Sequence, residues 1–497
     1  MKESLLNMSQ LLSAVKGTAL NDKKECFFEK VATDSREVKE NTLFVPLIGE
    51  VQNGHKYIPQ AIENKASVIF INQDEYDNNK ASYDELAAKN TQIAFICVKN
   101  TLHALQDAAE AYVAKFDKLI KISITGSSGK TTTKELVVSV MREYFGEENI
   151  AYTKGNFNSE TGLPLSVFQI KGNEKAGIFE MGMNRVNEIG EISKVLKSKY
   201  GIITNIGTAH IGILGSKKNI AQEKRKSFDY VPADGAVFVP ANDEFADYCV
   251  ENVRGKVVRY GRDVPSSGVK FIEDKGLAGT VFSYEEQIIN FPLIGEYNFQ
   301  NALGVVALAR EMNIPAEVVK AGLEKMKVVS GRMDSKKITL KAGKTVMYIS
   351  DCYNANPDSM GKVIDFCGNV KNKGKKIFVL GDMKELGADS KTAHEKIAEK
   401  IISSNADYIY LVGEEMKNCF NVLKEKNFAE KDFSGRVFYF ADNSDKNFDD
   451  IAEKINQKSS EDDLILIKGS HSMALEKIEP LLQNCGKTEK TEGGAAC

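Results

Sequence analysis

The sequence predicts an α/β protein of three domains built on mainly parallel sheets. Three observations carry that expectation. The chain has 497 residues, too many for one hydrophobic core. From "LIKISITG" through "AGIFEMG", "GIITNIG" and "GAVFVPAND", short β-rich runs alternate with helical segments. That order gives a parallel sheet covered by helices. A second series of the same kind, "TVMYISD", "KIFVLGDM", "YIYLVGE", "VFYFAD" and "LILIKGS", occupies the C-terminal third, each run soon closed by Gly, Asp or Ser.

The elements follow in order. Residues 1–116 form the first expected domain, with strands in "TLFVPLIG", "SVIFIN" and "IAFICV" among helical stretches. Residues 117–329 form the second, which ends in a strand-rich stretch from "VVRYG" to "IINFPLIG" and a helix from about 298 to 312. Residues 330–483 form the third. Its topology is doubly wound and Rossmann-like, but no GxGxxG follows its first strand, so no dinucleotide is expected there. The tail 484–497, "NCGKTEKTEGGAAC", is polar and glycine-rich, and disorder is expected for it.

Composition excludes several classes. Lys plus Arg number 66 and Asp plus Glu 69, a net charge of −3, so there is no global basic excess of the kind that marks nucleic-acid binding. No apolar run approaches a membrane span, and the N-terminus lacks a signal-peptide pattern. Eight scattered cysteines without a CxxC read as reduced thiols in a cytoplasmic protein. A monomer is expected.

The string "ISITGSSGKTTTKELV" carries the first chemical signal. A β-branched run ends at Thr125 and a helical pattern begins near Lys130. Gly126 and Gly129 let backbone N–H groups close around an anion across Ser127 and Ser128. Lys130 reaches terminal phosphates, and Thr131 offers a hydroxyl to Mg²⁺. Ile124 stands where the common pattern has an earlier glycine, so a chance strand–turn–helix is the competing reading.

Other candidates sit at strand ends. Glu180 closes "GIFE", and His210 follows "GIITN" by a short loop. In an open parallel sheet these ends meet in one crevice, where Thr131, Glu180 and His210 could collect around Mg²⁺. Taken singly, Glu180 reads as an exposed strand-end charge and His210 as a loop histidine. Asn298 and Asn301 lie at a helix start. Asn298 fits an N-cap, and both amides suit the donor and acceptor edge of adenine. "ISDCYNANPDSM" puts Asp351 at a strand end, then Tyr353, Asn354 and Asn356 before a proline, as a plain turn before a helix also would. Arg332 is either a phosphate ligand across a cleft or a linker arginine. "GSKKNIAQEKRKSF", which contains Lys224, reads by composition as a solvated basic helix face.

At this point a family resemblance is specific. "TGSSGKTTTKE", "GNFNSETGLPLSV", "FEMGMN", "NIGTAH", "GEYNFQNAL", "SGRM", "DCYNANPDSM", "GDMKELG" and "KGS" occur in that order. Together they resemble the Mur ligases, ATP-dependent amide-forming enzymes of peptidoglycan precursor synthesis. "YNANPDSM" and "GDMKELG" resemble most the member that adds D-alanyl-D-alanine to UDP-N-acetylmuramoyl-tripeptide. The resemblance implies three domains: uridine-nucleotide binding, central ATPase, and Rossmann-like. It implies that Thr125 to Thr131 hold the ATP phosphates. Thr131, Glu180 and His210 become metal ligands, Asn298 and Asn301 adenine contacts, and Arg332 and Asp351 phosphate and ribose contacts. Ser35 and Arg36, in "TDSREVKENTLFVPLIGEVQNGHKYI", fall where the UDP-sugar is held. Asn158, Tyr353, Asn354 and Asn356 complete the expected substrate site. Lys224 falls where the family carbamylates a lysine to make a further metal ligand. Lys130, His210, Lys224 and Arg332 make up the expected catalytic set. His471 stands where an arginine is usual, and no role is assigned to it.

The implied chemistry is activation of a carboxylate as an acyl phosphate, followed by attack of the D-alanyl-D-alanine amine. Competing readings are a sibling ligase, a GTPase-type switch and a non-catalytic scaffold. No NKxD guanine motif is present, and Lys130, Thr131, Glu180 and His210 are all retained.

Overall fold

The computed structural model describes residues 4–21, 25–426 and 434–483. The glycine-rich tail 484–497 lies outside them. Its strands, numbered along the chain, form four sheets. The first contains β1 (Thr18–Ala19), β2 (Lys30–Ala32), β3 (Thr42–Phe44), β4 (Val68–Asn72) and β5 (Ala94–Val98), in the order β1-β5-β4-β3-β2. Only the β1–β5 pair is antiparallel.

The second sheet contains β6 (Ile120–Thr125), β7 (Ile150–Tyr152), β8 (Ala176–Glu180), β9 (Tyr200–Ile203), β10 (Ala236–Pro240) and β11 (Lys256–Tyr260). All six strands run parallel, in the order β11-β10-β9-β6-β8-β7. Every residue of β8 and β10 is buried, which is why these strands read as unbroken apolar runs rather than alternating ones. The strand-rich stretch after β10 divides. β11 joins this sheet, while β12 (Val269–Asp274), β13 (Thr280–Tyr284) and β14 (Gln287–Phe291) form a separate antiparallel meander.

The last sheet contains β15 (Asp334–Thr339), β16 (Thr345–Asp351), β17 (Lys376–Gly381), β18 (Tyr408–Val412), β19 (Val437–Phe440) and β20 (Leu464–Lys468). Its order is β15-β16-β20-β17-β18-β19, parallel except for the β15 edge.

The core is not partitioned at residue 116. One apolar cluster runs from Leu6, Phe70 and Leu105 into Phe179 of β8 and on to Phe228. Helix Thr101–Val113 carries it across, because its buried face meets helix Glu188–Leu196. Toward the C-terminal unit, Ile294 and Tyr297 pack into the cluster of Met360, Phe378 and Leu411. The six described cysteines are buried. No helix among the described residues is long and apolar enough to cross a membrane.

Candidate active site

β6 is the strand at which the order of the central sheet turns: β8 and β7 lie on one side of it, β9, β10 and β11 on the other. The crevice beyond its carboxyl end is where an open parallel sheet binds ligands. The chain leaves β6 through Gly126, where a Cβ would lie 1.8 Å from Thr204 Oγ1. It then turns at Gly129, whose φ is +80° and which caps helix Lys130–Phe145. Here a side chain would collide with the Asn301 amide, whose Oδ1 would be 2.7 Å from the Cβ. Glycine is therefore required at both positions, and the 16-residue helix presents its unpaired N–H groups to the crevice.

Beside this loop a cleft of about 2230 Å³ opens between the central and C-terminal units. Ser127, Ser128, Gly129, Lys130, Thr131, Asn158, Glu180 and His210 line one side of it, together with Asn298 and Asn301. Arg332, Asp351, Tyr353, Asn354 and Asn356 line the other. Thr125 lies beneath it, its hydroxyl donating to the Met181 carbonyl at 2.9 Å.

Glu180 is 1% exposed, which overturns the exposed strand-end reading. Its Oε2 accepts from Thr131 Oγ1 at 2.8 Å and its Oε1 from Asn158 Nδ2 at 2.7 Å. A buried carboxylate held by a phosphate-loop hydroxyl is a donor pair suited to a hard divalent cation. Among the described residues no three His, Cys, Asp or Glu side chains converge on one point, so a metal here would draw on the Thr131 hydroxyl as well. His210 lines the same cleft. It adopts φ +63°, and its Nδ1 lies 2.8 Å from Glu385 Oε2, off the line a hydrogen bond needs. The imidazole holds the Glu385 carboxyl below the usual carboxylate range.

Lys130 Nζ donates to the Gly126 carbonyl at 2.9 Å. Desolvation pulls its pKa below that of an ordinary lysine, with Glu180 opposing. Lys224 is fully buried and its Nζ has no hydrogen-bond partner, so the solvated-face reading fails at this residue. Burial pushes its pKa well below the usual lysine value, and the charge of Lys130 adds to the effect. Its neighbour explains the inward aim. Glu223 accepts from the backbone N–H groups of Asn187 (2.9 Å) and Ile189 (3.0 Å), seating helix Lys217–Arg225 on the start of helix Glu188–Leu196. Lys226, by contrast, pairs with Glu223 at 2.8 Å.

One further expectation needs correction. Asn298 does not cap its helix: Gly295 at φ +89° does, and Asn298 Nδ2 instead donates to the Ile294 carbonyl at 2.9 Å. Asn356 does cap helix Pro357–Asn369, in a capping box with Ser359, and also donates from Nδ2 to Ser128 Oγ across the cleft at 3.2 Å. Ser35 and Arg36 stand apart from the cleft. The Ser35 hydroxyl donates to Gln60 Oε1 at 2.6 Å, and exposed Arg36 pairs with Asp34 at 2.5 Å.

On the C-terminal side the Arg332 guanidinium stacks 3.9 Å from the Tyr353 ring centre, and its buried Nε is unpartnered. His471 stacks on the same ring with centroids 6.0 Å apart. Asn354 Oδ1 accepts from the Ala355 N–H at 2.8 Å. Asp351 is more engaged than a free ribose acceptor would be. Its Oδ1 accepts from the Met333 N–H at 3.1 Å, and its Oδ2 pairs with Lys468 Nζ at 2.5 Å. Lys468 is 1% exposed, so removing its partner leaves a buried cation with only the Asn354 carbonyl at 3.1 Å. Asp351→Ala is therefore expected to cost about 3 kcal/mol of stability. Urea unfolding of the full chain checks this; an unchanged midpoint would show that Lys468 finds solvent or another acceptor.

Sequence reasoning missed Glu385, Lys468, Thr208 and Asp358. All four stand inside quoted motifs, but their partners lie far along the chain. His210 meets Glu385, Asp351 meets Lys468, and Thr208 meets Asp358.

Comparison with known proteins gives a consistent assignment. Residues 28–113 match the Mur ligase family catalytic domain, 124–309 the Mur ligase middle domain, and 331–471 the Mur ligase glutamate ligase domain. A UDP-N-acetylmuramoyl-tripeptide–D-alanyl-D-alanine ligase of Treponema pallidum is 36% identical over 482 residues, covering 96% of this chain and 99% of the relative. The Bacillus subtilis enzyme of that name is 31% identical over 482 residues, covering 96% and 97%. A crystal structure of MurF from Acinetobacter baumannii superposes with a TM-score of 0.81 at 25% identity, covering 95% and 98%. Family models along most of the chain, and a relative of this identity matched nearly end to end, establish that the chain belongs to the Mur ligase family.

Proposed function

We infer that this protein joins D-alanyl-D-alanine to UDP-N-acetylmuramoyl-tripeptide with consumption of ATP. The observation that carries the reading is the cleft itself. It sets a glycine-shaped phosphate loop and the Thr131–Glu180 pair opposite Arg332 and the "YNAN" turn. The names of the two full-length relatives supply the substrates.

A carboxylate resists attack by an amine, so the tripeptide carboxylate first attacks the γ-phosphorus of ATP and ADP departs. Lys130 and Arg332 stabilise the charge on the transferring group, and the loop N–H groups fix the phosphates left behind. The amine of D-alanyl-D-alanine then adds to the acyl carbon. Collapse of the tetrahedral adduct forms the amide and expels phosphate. Enclosure between the units excludes water, which would otherwise hydrolyse the acyl phosphate.

Thr131 and Glu180 would hold Mg²⁺, and His210 lines the same cleft. When bound, the ion supplies counter-charge to the phosphates. A carbamate fits at Lys224, whose buried amine lacks a partner. The neutral amine that burial favours would add through Nζ to the carbon of CO₂ and lose one proton, leaving a carbamate anion beside the Lys130 charge. Carbonate labelled with ¹³C gives a carbamate NMR signal in the wild type that Lys224→Ala lacks, a readout independent of turnover. Monomeric assembly and a cytoplasmic setting complete the proposal.

Phosphate release tests the reaction. It is expected only when ATP, a UDP-linked tripeptide and D-alanyl-D-alanine are all present, with lysine- and diaminopimelate-containing tripeptides run in parallel. Release with a free amino acid in place of the dipeptide would overturn the assignment.

A further inference from the structure

The loop that carries His210 is gripped by the C-terminal unit at a point that none of the roles above requires. Asp358 is the second residue of helix Pro357–Asn369. Its Oδ2 accepts from both the backbone N–H of Thr208 (2.6 Å) and its hydroxyl (2.7 Å). The seat is shaped for it: a Cβ on Gly207 would come within 2.5 Å of the same oxygen. Thr208 is two residues before His210, which sits at φ +63°. Four residues further on, the Gly212 N–H donates to the Glu385 carbonyl at 3.2 Å, and Gly212 and Gly387 approach backbone to backbone. The same helix start reaches the phosphate loop through Asn356 and Ser128. The C-terminal unit thus touches both the phosphate loop and the His210 loop from one helix N-terminus.

We propose that Asp358 is a positioning residue: its paired hydrogen bonds to Thr208 are the contact through which closure of the C-terminal unit sets the His210 loop for catalysis. The inference rests on the ligase reading above. An acidic side chain suits a helix N-terminus wherever it points, so its presence in the first turn proves nothing. What singles it out is that one oxygen takes both donors of a single residue on the opposite unit, against a glycine that leaves it room. Closure that depends on two hydrogen bonds to a charged acceptor is reversible, as product release requires.

The test uses the full chain and phosphate release with all three substrates. Asp358→Ala and Thr208→Val are each expected to lower kcat about 10-fold, the worth of a charged hydrogen bond, with each KM little changed. Asp358→Asn keeps an oxygen able to accept both bonds, so it should retain most of the activity. The double variant Asp358→Ala/Thr208→Val should be no slower than either single variant, because both remove one interaction. Wild-type kcat in either single variant, a multiplied loss in the double, or Asp358→Asn as slow as Asp358→Ala would overturn the proposal. Small-angle scattering with ATP bound decides it separately from the substrates. A larger radius of gyration in Asp358→Ala and Thr208→Val than in the wild type supports the contact, and equal radii overturn it. Failure of the wild-type protein to turn over these substrates counts only against the ligase reading.

Discussion

Lys130→Ala is expected to reduce ligation by about 10³-fold or more while leaving the fold intact. The fold should survive because the side chain makes one hydrogen bond, to the Gly126 carbonyl, and its charge is already disfavoured there by burial. The activity should not, for two separate reasons. Lys130 begins the helix, and in the proposed reaction its ammonium meets the charge that develops on the transferring phosphate. It also acts on Lys224, whose ammonium form it repels. The same positive field that discourages a second ammonium stabilises a carbamate anion, so removing Lys130 should weaken the labelled carbamate signal as well as turnover. Lys130→Arg keeps the charge but brings a planar fork in place of a compact ammonium, and should recover little. Phosphate release and the ¹³C signal, measured on the same samples, check both parts. Near-wild-type turnover in Lys130→Ala would remove the phosphate-loop assignment.

The parts legible in the sequence are those whose cause is local. Parallel strands buried on both faces leave unbroken β-rich runs, so β8, β10, β17 and β20 could be read directly. The phosphate loop was legible because two glycines, a lysine and a threonine act within one turn. Glu180 was found by its position at a strand end, yet its burial depends on Asn158 and Thr131 folding over it. Where the cause is tertiary, the sequence misleads. Asn298 looks like a cap, but the chain enters that helix through a left-handed Gly295 and leaves the amide free to turn back on Ile294. That the apolar core continues past residue 116 is not legible either, because it depends on helix Thr101–Val113 packing against helix Glu188–Leu196 of the neighbouring unit. Asp358 meets Thr208 from 150 positions away, and no local pattern marks such a pair.

Lys224 is the hardest case, and it gives the second large effect. "KKNIAQEKRK" is a string that composition assigns to solvent, yet only Lys218, Asn219 and Gln222 in it are exposed. Lys224 departs because Glu223, one residue before it, caps a neighbouring helix and turns the next side chain inward. An unpartnered buried amine is a cost to the folded state. The sign of its pH dependence follows. The folded pKa lies below the unfolded value, so the penalty is absent above the unfolded pKa and grows as pH falls toward the folded one. Lys224→Met, which keeps the stem and removes the charge, should therefore unfold at a higher temperature than the wild type in degassed, chelated buffer. The gain should be about 1–3 kcal/mol and should shrink as pH is raised. The same variant should lose about 10²-fold to 10³-fold in ligation, the worth of one preorganised charge at a phosphoryl-transfer site. Lys224→Ala should lose as much, and short carboxylates added to the assay should restore part of it by occupying the vacated space. Lys226→Ala, which removes a mostly buried pair with Glu223 and a bond to Asn187 but no group lining the cleft, should leave turnover nearly unchanged. Greater stability with less activity, in one substitution, is what a residue kept for chemistry rather than for folding produces. A Lys224→Met protein that turns over normally, or one less stable than the wild type across this pH range, would show that the amine has a partner and a structural task instead.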